Sequence, residues 1–64
     1  MTTKELTAIS ELLEGEKILV AKFTAYAQNT SDTTLKNKYE QIAATHQQHL
    51  DALYKNLKWG HKNE

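Results

Sequence analysis

The segment "YEQIAATHQQHLDALY" carries His46 and His49 three residues apart, at positions where an amphipathic helix would normally place buried leucines. Residues three apart lie on one face of a helix, so both imidazoles can address a common point. A third polar residue, Glu16, interrupts an otherwise apolar stripe earlier in the chain. One carboxylate and two imidazoles are the donor set of a divalent metal site. Helix-bundle di-metal proteins draw a Glu from each of two helices and a Glu-x-x-His from each of the other two. Here His46 stands where the Glu of Glu-x-x-His would be, which removes the usual bridging carboxylates. Oxygen-activating di-iron chemistry is therefore not expected, and zinc fits the donors better than iron. The competing reading involves no cofactor. A buried Glu and His can satisfy each other by hydrogen bonding and fix helix register. His49 would then sit at the edge of the stripe with its ring nitrogen reaching solvent.

Other residues offer less. Tyr26, Tyr39, Tyr54, Phe23 and Trp59 read as core and rim aromatics, Lys36 and Lys38 as a solvated face, and His61 as part of the tail. No nucleophile–base pair, phosphate-binding glycine loop or two-carboxylate acid–base site is present, so no catalytic residues are assigned and no enzyme is expected. The absence of cysteine excludes disulfides and thiolate metal sites. Eight basic residues balance eight acidic ones, which argues against binding to nucleic acid. No apolar run reaches the ~20 residues of a membrane span, and "MTTKELTAIS" does not read as a signal peptide. A cytoplasmic protein without membrane contact is expected.

The elements that must position Glu16 and the histidines are helices. There is no proline, and Ala, Leu, Lys, Glu and Gln dominate the long segments. Thr2 and Glu5 have the spacing of a capping box, which predicts helix 1 over about 3–29. The polar stretch "QNTSDTT" predicts a turn over 29–32, with Ser31 or Asp32 capping helix 2 over about 32–59. Gly60 is expected to close that helix in a left-handed conformation, leaving a tail over 60–64. The fold class is all-α: a single antiparallel hairpin domain.

Alternating steps of three and four pick out Leu6, Ile9, Leu13, Glu16, Val20, Phe23 and Ala27 in helix 1. In helix 2 they pick out Leu35, Tyr39, Ile42, His46, His49, Leu53 and Asn56. With Ala27 opposite Leu35 at the turn, the same register sets Phe23 against Tyr39 and Val20 against Ile42. It sets Glu16 against His46, Leu13 against His49 and Ile9 against Leu53. A second apolar stripe runs along each helix: Leu12, Leu19 and Tyr26 on the first, Ala43, Leu50 and Leu57 on the second. Two helices cannot cover two stripes each, and an exposed patch of that size marks an interface. A homodimer is therefore expected, completing a ferritin-like four-helix bundle. Gly15, costly inside a helix, reads either as a point of close helix approach or as a tolerated surface glycine.

Residues 11–53, with "LLEGEK" in the first helix, the turn "SDTTLK" and "ATHQQHLDAL" in the second, resemble the helical-hairpin unit of the spore coat protein F family. The resemblance implies half of a ferritin-like bundle and a bacterial, spore-associated structural role, with other coat proteins as partners and the spore coat as a second location. Full members carry two hairpins where this chain carries one, which again implies pairing of copies. Two functions follow as expectations: a homodimeric structural or assembly protein, or a metal-binding bundle using Glu16, His46 and His49.

Overall fold

A computed structural model describes residues 2–62, with side chains through Leu57. The chain is two helices packed against each other, α1 over Thr3–Asn29 and α2 over Thr33–Lys62, with no strand among the described residues. At α1's N-terminus the Thr2 hydroxyl accepts the Glu5 backbone N–H at 3.1 Å and donates to Glu5 Oε1 at 2.9 Å. One of the orphan donors of the first turn is thereby satisfied. The turn is held by the Asp32 N–H donating to Thr30 Oγ1 at 3.2 Å. Of the two candidate caps, Asp32 serves: its Oδ1 accepts from the Leu35 N–H at 2.9 Å. Asp32→Ala is expected to cost about 1 kcal/mol of stability, read by urea unfolding, whereas Ser31→Ala should leave stability nearly unchanged.

Helix α2 does not stop at Gly60 as the sequence suggested but continues through it to Lys62. A helical glycine costs only about 1 kcal/mol relative to alanine, so the left-handed cap is an option rather than a requirement. The rest of the expected tail, 63–64, lies outside the described residues, as do the side chains of Trp59 and His61.

On α1 the inward stripe is the expected one from Ile9 onward: Ile9, Glu16, Val20 and Phe23 are half-buried, and Leu13 and Ala27 are buried, whereas Leu6 is exposed and Leu19, expected on the outer stripe, is half-buried. The stripe on α2 is different. Tyr39, Ala43, His46, Leu53 and Leu57 are half-buried and Leu50 is buried, while Ile42, His49 and Asn56 are exposed. Relative to the expected seam, α2 is turned by about 50°, half the angle between successive helical residues. The turn carries Leu50 and Leu57 inward in place of His49 and Asn56, so apolar surface is buried where polar groups would otherwise lose water. Ala43, Leu50 and Leu57 thus belong to the hairpin's own interior and not to a stripe left for a second copy. His49 is correspondingly not the buried partner of Leu13.

The hairpin measures 48 × 16 × 11 Å. Two helices side by side make a layer one helix thick. A structure one helix thick buries little, and Leu13, Ala27 and Leu50 are the only buried apolar residues described. Gly15 has nothing within 4 Å of where a Cβ would stand, so it permits no close approach between α1 and α2.

Candidate functional site

Glu16 lies at the midpoint of α1, on the stripe that faces α2. Across the hairpin, His46 Nδ1 lies 2.7 Å from Glu16 Oε2. An ionised carboxylate can only accept, so the imidazole donates. The second carboxylate oxygen, Oε1, lies 3.7 Å from His49 Nδ1. The sequence paired Glu16 with His46 alone; in the structure its two oxygens reach toward both histidines. Side-chain exposure grades outward, from 18% at Glu16 and 23% at His46 to 57% at His49. The cluster therefore opens to solvent through His49.

The local packing fixes His46 more tightly than His49. The Phe23 ring stacks on the His46 ring, with centroids 6.4 Å apart and planes 13° from parallel. Phe23 also meets Tyr26 edge-on at 5.7 Å and Tyr39 at 6.0 Å. Tyr26 and Tyr39 complete this aromatic layer at 5.4 Å, between the polar cluster and the turn. His49 touches the layer only through His46, whose ring it meets edge-on at 5.7 Å.

The two flanks of the hairpin differ. On one, Lys17 Nζ lies 5.8 Å from the centroid of the Tyr54 ring and 3.8 Å from Glu14. Tyr54 first, and then the Glu14 carboxylate, raise the pKa of Lys17 above the ordinary lysine value. A groove on this flank is lined by Thr24, Ala27, Gln28, Lys36, Glu40 and Ala43. The other flank is apolar. Leu12, Leu19 and Tyr26 recur every seven residues on α1, and Leu35, Ile42 and His49 do so on α2. Tyr26 and Leu35 line one concavity beside the turn, together with Asn29, Thr30, Ser31 and Tyr39. A second concavity on α1 is lined by Ala8, Leu12, Gly15, Glu16 and Leu19. Leu12 is 55% exposed, Tyr26 44%, Leu35 39% and Ile42 36%.

All three ligand candidates named from the sequence therefore converge, their donor atoms within 4.8 Å of one another. Among the described residues no buried side-chain polar atom lacks a hydrogen-bond partner. The arrangement can act as a satisfied polar layer, or can present one oxygen and two nitrogens to a cation. What the sequence did not reveal is the part played by Leu35 and Ile42. Their seven-residue spacing was legible but was assigned to the seam between the helices, and the rotation of α2 turns them outward. No helix is long and apolar enough to cross a membrane among the described residues. No family model, curated protein or solved structure matches the chain.

Proposed function

We propose that the chain is a structural assembly unit, a helical hairpin that pairs with a second copy through the face carrying Leu12, Leu19, Tyr26, Leu35 and Ile42. The observation that carries this reading is that four of the seven exposed large apolar side chains described, Leu12, Tyr26, Leu35 and Ile42, fall on one flank of the hairpin, with half-buried Leu19 in the same row. Each large apolar side chain fully covered contributes about 1.5–3 kcal/mol, and a hairpin with so small an interior gains much from it.

The second copy is the occupant favoured by charge. The chain has no net charge to repel itself. The apolar rows lie on both helices, so a twofold axis can set like rows against each other, as an isologous interface requires. Gly15 lies in the concavity between Leu12 and Leu19, with open space where a Cβ would be. A glycine there leaves room for the partner's backbone. The unit so formed is a four-helix bundle with the Glu16–His46 layer near mid-height. It is the kind of non-catalytic building block that the resemblance to spore coat protein F implies, in a cytoplasmic or coat location.

Sedimentation equilibrium of untagged protein is expected to give a dimer at micromolar concentration. Leu12→Glu combined with Ile42→Glu, both at positions exposed in the hairpin, should shift it to monomer. A folded wild-type monomer under those conditions, or a double variant that stays dimeric, overturns the reading. Leu50 is unsuited to this test, because it is buried within the hairpin itself.

A further inference from the structure

We infer that Glu16, His46 and His49 form a binding site for one divalent transition-metal ion of the zinc class in each hairpin. The site joins the helices, since α1 supplies the carboxylate and α2 both imidazoles. Zinc takes oxygen and nitrogen ligands at about 2.0–2.2 Å in a tetrahedral arrangement, which sets the donors about 3.3–3.6 Å apart. Glu16 Oε1 and His49 Nδ1 are already 3.7 Å apart. Glu16 Oε2 and His46 Nδ1, at 2.7 Å, have to separate by under about 1 Å, and the ring carries its proton on Nε2 instead of Nδ1, which frees the Nδ1 lone pair for the metal. No pair of donors exceeds 4.8 Å, so the remaining closure is of the order of 1 Å. His49 is more than half exposed and is free to make that adjustment by side-chain rotation.

The donor set selects the ion. Two imidazoles and one carboxylate suit zinc and its first-row neighbours, whereas magnesium and calcium prefer oxygen alone. No second carboxylate lies in the cluster to bridge two irons. Three protein ligands leave a fourth position open toward solvent on the His49 side, the pattern of a zinc site that retains water. The nearest lysine in sequence, Lys17, is held on the opposite flank by Tyr54 and Glu14 and does not compete for the carboxylate. All three ligands come from one chain, so the site does not depend on pairing of copies.

The test is calorimetric titration of metal-free protein with zinc chloride and, separately, magnesium chloride, combined with ¹⁵N spectra of the histidine rings. One zinc per chain is expected, with little or no heat from magnesium. The His46 and His49 ring nitrogens should shift while those of His61 stay in place. His49→Ala removes a solvent-exposed side chain and should leave helicity intact while weakening zinc binding at least tenfold. Glu16→Gln, which keeps a hydrogen-bond acceptor for His46, should weaken it as well. Absence of zinc binding by the wild type overturns the inference. So does unchanged affinity in His49→Ala, or a zinc-induced shift at His61 alone.

Discussion

Leu50→Ala is expected to lower the stability of the protein by about 2–5 kcal/mol, the range for deleting a buried leucine side chain. In a chain of 64 residues that loss is a large part of the total. Leu50 is only 7% exposed, and it is the one buried residue described on α2; Leu13 and Ala27 are its counterparts on α1. Ile42→Ala provides the comparison. Had the seam followed the three–four spacing through Ile42 and His49, Ile42 would be the buried residue and its truncation the costlier. In the structure Ile42 is 36% exposed, so its loss should be the smaller. Urea unfolding followed by circular dichroism, at one protein concentration because assembly would add to stability, distinguishes the two. A larger loss at Ile42 than at Leu50 would restore the unrotated seam.

That comparison marks where the sequence stopped being sufficient. The two helices and the Thr2 cap were legible because each rests on local chemistry, and the second cap was narrowed to Ser31 or Asp32. Thr2 and Asp32 have few other roles at a helix start, and a short polar turn permits few pairings. The contact of Glu16 with His46 followed from the register alone. The facing of α2 did not, because that helix carries two apolar stripes only a fraction of a turn apart. Periodicity finds both stripes, but only packing against α1 decides between them. Turning Ala43, Leu50 and Leu57 inward in exchange for Leu35 and Ile42 keeps apolar side chains in the seam and spares His49 and Asn56 the loss of water. The same rotation explains the candidate site. His49, displaced from the seam, lies at its edge, where Glu16 can reach both imidazoles. A layer-by-layer pairing allots each residue one partner, and so set His49 opposite Leu13.

The Glu16–His46 layer can be tested apart from any metal by working in chelator. Glu16→Ala is expected to destabilise the protein by about 1–3 kcal/mol, because His46 loses the acceptor of its Nδ1–H in a half-buried setting. His46→Ala should cost at least as much, since it also removes the ring stacked on Phe23. Glu16→Leu combined with His46→Leu should behave differently. Both polar groups leave together, two apolar side chains occupy the layer beside Phe23, and the variant should be as stable as the wild type or more so. Completing the cycle with the single leucine variants measures the coupling directly; in-contact pairs give about 0.5–3 kcal/mol. Strict additivity of the two leucine substitutions would show that the 2.7 Å contact contributes nothing. A double variant more stable than the wild type has a further consequence. The natural layer would then be held at a cost to stability, so something other than stability must favour a carboxylate opposite an imidazole there. Register is one such demand, and a bound cation is another. The same double variant tests the first: a single, cooperatively unfolding species would show that the polar layer is not needed to fix register.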